Sequence, residues 1–260
     1  MKLRLLVVTS SFLFGSYSVA PQQTSLTATS DPQALTILGH SISAMGATTP
    51  LDSVATGSIT VVSGSLTQSG TIRVLTKGTA ESSVQMTMPD ETRTIIFANG
   101  QANDVVGDTV STLPLELVVT SQAADYPLPL ITALLNNPDT SYHYVGLESS
   151  NGQSLQHIQV WDTFASQPAL QSLASFSLRD IWFDAVSGLP QKISYVQKPA
   201  QGATPSVAMD VFYSNYQAFS GGVLYPLTIQ KSVNGTPWAS ISIQNVSFNT
   251  GLTDSSFPIQ

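Results

Sequence analysis

The chain has 260 residues, 42% of them apolar and only 10% charged, with a formal net charge of −7. That balance excludes a disordered chain, which needs few apolar and many charged residues to stay unfolded. The nine scattered Lys and Arg exclude a nucleic-acid footprint or a polybasic membrane stripe, and the lack of cysteine excludes disulfides, thiolate metal sites and a lipobox anchor.

Residues 1–20 read as a secretory signal peptide. Lys2 and Arg4 form a basic start, residues 5–14 an apolar run, and Ser18-Val19-Ala20 a small-residue cleavage site. The run is too short to span a bilayer, and no later segment is apolar for long enough. The protein is therefore expected to be exported to the periplasm and to be soluble there. Residues 21–30 are a Thr/Ser-rich, flexible lead-in, and residues 31–260 are expected to form one domain.

Asp31-Pro32 marks a helix start, with Asp as N-cap and Pro at the first helical position. Leu35, Leu38, Ile42 and Met45 follow at three- and four-residue spacing, an apolar stripe that ends near Gly46. Such a helix either packs on a core or covers the mouth of a cavity. Short Val-, Ile- and Thr-rich runs follow at 58–61, 71–76, 83–88 and 92–97, with an Asn99-Gly100 turn, so the text reads as an antiparallel meander.

The pattern breaks at 113–137. Leu128, Leu130, Ile131, Leu134 and Leu135 suit a short helix that begins near Pro127 or Pro129, while 115–124 fits strand or helix equally. Strands resume at 142–148 and 154–161 around Asn151-Gly152. Residues 163–173 read as a loop with a helical turn. Further strands are expected at 176–184, 192–197, 207–213, 226–233 and 238–248, with a Pro/Gly-rich loop at 198–205.

The closing third carries a family resemblance. Asp184…Ser187-Gly188-Leu189-Pro190, then Phe212-Tyr213-Ser214-Asn215-Tyr216, Gly221-Gly222-Val223-Leu224-Tyr225-Pro226, and Asn245 through Leu252 to Phe257 follow one another in order. This series resembles the lipoprotein-carrier superfamily, LolA/LolB-like, with its LppX-like and RseB-like relatives. The resemblance implies a mainly β (α+β) fold. A strongly curved antiparallel sheet, an open half-barrel, would have an N-terminal helix and mid-chain helices over its concave face. It also implies an apolar cavity for acyl chains. The middle of this chain is longer than the carrier pattern, and no carrier cavity arginine aligns.

No catalytic constellation stands out. The chain has no G-x-S-x-G elbow, no S-x-x-K and no Gly-rich phosphate loop. Of the three histidines, His40 sits beside the helical stripe. His143 and His157 lie in strands, and Asp162 is an odd number of residues from His157, so the two point to opposite faces. No metal, cofactor or catalytic residue is expected. The expectation is a non-catalytic binder of a lipid or acyl chain, with Leu35, Leu38, Ile42, Met45, Ile131, Leu134 and Leu135 as lid or cavity lining. The alternative is an envelope sensor of the same fold whose partner is another protein.

Overall fold

The computed structural model describes residues 28–121, 126–150, 152–197 and 206–260. The signal-peptide reading of 1–20 and the loop at 198–205 lie outside the described residues. So does Asn151 of the second Asn-Gly turn.

Helix α1 (Pro32–Ala44) starts as its sequence requires: Asp31 is the N-cap, and its carboxylate accepts the Gln33 N–H at 2.9 Å. Six strands then run as a meander: β1 (Asp52–Ser63), β2 (Leu66–Lys77), β3 (Glu81–Thr87), β4 (Thr92–Ala98), β5 (Gln101–Val106) and β6 (Thr109–Thr112). Two helices interrupt, α2 (Leu115–Ser121) and α3 (Pro127–Asn136). Seven more strands follow: β7 (Thr140–Ser150), β8 (Gln153–Asp162), β9 (Arg179–Asp184), β10 (Pro190–Gln197), β11 (Val207–Ala218), β12 (Leu224–Val233) and β13 (Thr236–Phe248).

All thirteen strands belong to one antiparallel sheet in the order β6-β5-β4-β3-β2-β1-β13-β12-β11-β10-β9-β8-β7. The chain starts at the centre, meanders to one edge, crosses by α2 and α3 to the other, and meanders back until β13 pairs with β1. The sheet is curved and not closed, as the family resemblance implied. A bulge at Thr56/Gly57 interrupts the β1–β13 ladder. Only glycine fits there, since a Cβ would lie 2.0 Å from the Ser242 carbonyl oxygen.

The turns follow local chemistry. Asn99-Gly100 and Asn234-Gly235 are left-handed pairs, with φ of 54° and 71° and of 49° and 75°. In the β9–β10 turn the Asp184 carboxylate accepts the N–H groups of Val186 and Ser187 and the Ser187 hydroxyl, and Gly188 takes φ +73°. That accounts for the Asp-x-x-Ser-Gly-Leu-Pro spacing.

Several elements differ from expectation. β1 and β2 are twelve residues each, well beyond 58–61 and 71–76. β1 is paired on both sides, so its Ser- and Thr-rich ends are held by backbone bonds and not by apolar side chains. The ambiguous 115–124 segment is helical in its described part. Edge strand β6 carries one half-buried residue, which leaves little apolar signal to read. Phe176 belongs to a 3-10 turn over Pro168–Phe176, and β9 starts only at Arg179. The lead-in is also tied before residue 31. Thr29 and Ser30 pair with β7 at Tyr142, and the Tyr142 N–H donates to the Thr29 carbonyl at 2.9 Å.

The main core lies on the inner face, where α1 and α3 meet Ile59, Ile72, Ile158, Ile181, Phe183, Ile193, Val211, Ile229 and Ile241. A smaller cluster on the outer face packs the C-terminal Phe257 on Leu75, Ile96 and Ala98. The turn into that tail is organised by buried Asp52. Its carboxylate accepts the Thr250 N–H (2.6 Å) and hydroxyl (2.7 Å) and the N–H groups of Gly251 (2.9 Å) and Leu252 (3.2 Å). Burial alone would raise the Asp52 pKa, but the bonds from Thr250, Gly251 and Leu252 outweigh it and hold it below the ordinary carboxylate value. Because the native pKa is lowered, this stabilisation is present above the unfolded carboxylate pKa and is lost as pH falls through the native value. Asp52→Asn is expected to lower stability by about 1–2 kcal/mol at neutral pH. In denaturant titrations the gap to the parent chain should close as the pH is lowered through that value; a gap constant with pH would refute this account.

Candidate functional site: the inner face and its helical cover

The apolar stripe of α1 is rotated slightly from its sequence reading. The fully buried face is Ala34, Leu38, Ser41 and Met45, and Leu35 and Ile42 flank it half-buried against the same core. Gly46, at φ +118°, ends the helix against β12's approach, because a Cβ there would meet the Val223 Cα at 2.9 Å. Polar bonds hold α1 at both ends. The Asp31 carboxylate accepts the Tyr144 N–H at 3.0 Å, and the Met45 carbonyl accepts the Leu224 N–H at 3.0 Å.

α3 has the sequence PLPLITALLN and no charge. Leu128, Leu130, Ile131 and Leu134 are buried on the inner face, with Leu135 half-buried beside them. All seven residues singled out from the sequence therefore meet in one cluster, on α1 or α3. Sequence reading missed their aromatic neighbours. Tyr126, just before α3, is 1% exposed and stacks on Tyr225 with ring centroids 4.3 Å apart. Burial pushes the Tyr126 pKa far above the ordinary phenol value. The polar ties of α3 are few: Thr49 and Thr132 share a hydroxyl bond at 2.6 Å, and the Tyr142 hydroxyl donates to the Leu134 carbonyl at 2.5 Å.

α2 bridges the two meanders. It packs Val118 on Phe97 and Ala102 of the first meander and touches β10 and the 3-10 turn of the second. Its last carbonyls are held by Arg179, which is 4% exposed. The guanidinium donates through Nη2 to the carbonyls of Val119 (2.7 Å) and Thr120 (3.4 Å) and through Nη1 to that of Ser177 (3.0 Å). Burial lowers the Arg179 pKa, opposed by the charge of Asp162. A cation at the C-terminal end of a helix also meets the favourable pole of its dipole.

No protein-family model matches the chain, and no curated protein does. Solved structures do. A LolA superfamily protein from Nitrosomonas europaea is 13% identical with a TM-score of 0.57, over 87% of this chain and 97% of that one. A domain from Vibrio parahaemolyticus, described as an outer membrane lipoprotein-sorting protein, is 12% identical with a TM-score of 0.58, over 86% and 96%. A DUF1329 family protein from Desulfovibrio piger is 11% identical with a TM-score of 0.55, over 88% and 98%. The fold is LolA-like.

Outside the trough, the LolA-like sheet carries a polar ladder on its outer face. His157 is held between two carboxylates, with Nδ1 2.6 Å from Glu148 Oε1 and Nε2 2.8 Å from Asp180 Oδ1, and it stacks on Trp182 at 4.2 Å. Trp182 Nε1–H donates to Glu148 at 2.9 Å, and that bond is the main cause of a lowered Glu148 pKa. Lys192 lies 4.7 Å over the Trp182 ring and pairs with Asp210 at 2.8 Å. His143 is exposed, and His40 packs on the Gly188 turn. Asp162 faces away from His157 and accepts from Asn137 and Thr140. Among the described residues no three His, Asp or Glu side chains are placed to hold a metal ion.

Arg179→Leu removes the donor to two carbonyls at the end of α2, those of Val119 and Thr120, and to the Ser177 carbonyl. It is expected to lower amide-exchange protection over 115–121 by roughly 10- to 100-fold, as losing one or two buried bonds implies. Protection in β1 and β13 should be unchanged. Equal loss across the sheet would mean that Arg179 supports the whole fold and not the cover.

Proposed function

We propose that the protein is an exported, non-catalytic binder of an acyl chain or another amphiphile, held on the inner face of the sheet beneath α3. The observation that carries this reading is the cover itself. α3 is uncharged and Leu-rich, it buries four Leu and Ile side chains on the inner face, and two side-chain hydrogen bonds tie its body to the rest. α1 is pinned to the sheet at both ends, so α3 is the element free to lift.

The energies are matched for reversible exchange. Exposing four buried Leu or Ile side chains costs about 6–12 kcal/mol. An acyl chain of about fourteen methylenes returns roughly 11 kcal/mol when it takes their place. A ligand of that size can therefore displace the cover without unfolding the sheet. The likeness in fold to a domain described as lipoprotein-sorting supports the same reading.

The absence of native cysteine makes a clean test possible. Thr49→Cys with Thr132→Cys replaces the 2.6 Å hydroxyl bond by a pair of thiols that can bridge. The reduced double variant is expected to take up a fluorescent fatty-acyl probe, and the oxidised form to lose at least tenfold in uptake rate. Native mass spectrometry of protein from an envelope fraction should show co-purified lipid. Equal uptake in both redox states would rule out the lifting of α3.

One observation favours a second reading, a protein-interaction module. The outer edge strand β7 exposes Val145 (46%) and Leu147 (60%) beyond the point where Asp31 caps it at Tyr144. Under that reading neither redox state takes up lipid.

A further inference from the structure

Among the described residues, four helical hydroxyls are self-satisfied. Thr36, Ser43, Thr120 and Thr132 each donate to the carbonyl four residues earlier. Ser41 has the same option and does not take it. Its Oγ is fully buried on the inner side of α1 and has no hydrogen-bond partner. The Tyr126 hydroxyl, beside α3, is likewise buried and unpartnered. The two belong to one region. Tyr126 stacks on Tyr225, the residue before Tyr225 bonds to the Met45 carbonyl, and Met45 is one helical turn from Ser41.

A buried hydroxyl without a partner is costly, and native proteins rarely keep one without a reason. Here both lie buried at the inner-face core, within an apolar surface that would otherwise recognise only hydrocarbon. We propose that Ser41 and Tyr126 are the polar end of the acyl site, where their hydroxyls donate to the carbonyl oxygen of an ester- or amide-linked acyl chain. This inference rests on the reading of the inner face as an amphiphile site and narrows its ligand class. A hydroxyl pair suits a neutral carbonyl. A free carboxylate or phosphate at the same place would be buried without a counter-charge from the covering helices, since neither α1 nor α3 contains Lys or Arg.

The test uses the full chain and three pyrene-labelled probes of equal chain length: a methyl ester, an alkane and a free acid. The parent protein is expected to bind the ester roughly tenfold more tightly than the alkane, the gain of two net hydrogen bonds. It should bind the ester more tightly than the ionised acid as well. In Ser41→Ala/Tyr126→Phe the ester preference should vanish while alkane affinity is kept, and the ligand-free variant should melt no lower than the parent. An ester preference that survives the double substitution overturns the proposal. So does a lower melting temperature, which would mean that the hydroxyls are satisfied in the free protein by a buried water only. If the parent binds no probe at all, the amphiphile reading itself fails. If it binds all three equally, that reading stands and only the carbonyl site falls.

Discussion

The ladder between β1 and β13 carries the architecture. Among the described residues it is the one strand pairing that joins the two meanders, since β1 begins the first and β13 ends the second. Every other strand pair is between neighbours in sequence. This pair joins residues nearly the whole described chain apart, such as Ser53 with Phe248. Its loop-closure entropy is correspondingly large and must be repaid by non-local contacts. The repayment is visible on both faces. Ile59 and Ile241 are paired and buried inside, and the chain leaving β13 is gathered outside by the Asp52 carboxylate at the start of β1. A fold with one long-range seam needs that seam to be over-determined, and here backbone, core and a charged cap all act on it.

An open sheet of thirteen strands creates a second constraint. Its inner face is too wide for one helix and too apolar for water. The protein answers with three helices fixed in different ways. α1 is fastened at both ends by backbone bonds, α2 spans from β5 to β10 with Arg179 across its end, and α3 rests mainly on apolar contact. Non-directional contact is strong in sum but can be exchanged for equivalent contact with another apolar body. Directional bonds cannot be exchanged so easily. The division between fastened and resting elements is therefore a division between frame and cover.

Legibility in the sequence follows the range of the physics. What is set within a few residues could be read: the Asp31 cap, the left-handed Asn-Gly turns, and the Asp184 turn whose carboxylate bonds lie within three residues. The apolar residues of α1 and α3 were legible by spacing, though the buried face is centred on Ala34 and Ser41 and not on Leu35 and Ile42. A small residue and a serine carry little weight in an apolar count, so the stripe seemed to lie one residue over. What depends on partners far away was not legible. Arg179 stands in Ser177-Leu178-Arg179-Asp180, within the run read as a strand over 176–184, and its burial is decided by helix carbonyls about sixty residues earlier. β6 and the ends of β1 owe their extended form to a paired neighbour, which no local propensity records.

The same distinction bears on what the inner face can recognise. Apolar contact measures the length of a chain and little else, because each methylene adds a similar increment wherever it lies. Discrimination between one acyl compound and another must come from the few polar atoms that face the apolar surface, since a mismatch there costs a whole hydrogen bond. Under the proposed function, Leu38, Leu128, Ile131 and Leu134 would set how much hydrocarbon can be exchanged for protein. The hydroxyls of Ser41 and Tyr126, held out of water and away from the helix carbonyls, are where chemical identity would be read. A trough that leaves two donors unsatisfied in its closed form is less stable than it could be. Under the proposed function that residual cost would lower the energy difference between the covered state and a liganded one, and would favour release of the cover by a molecule that brings its own acceptor.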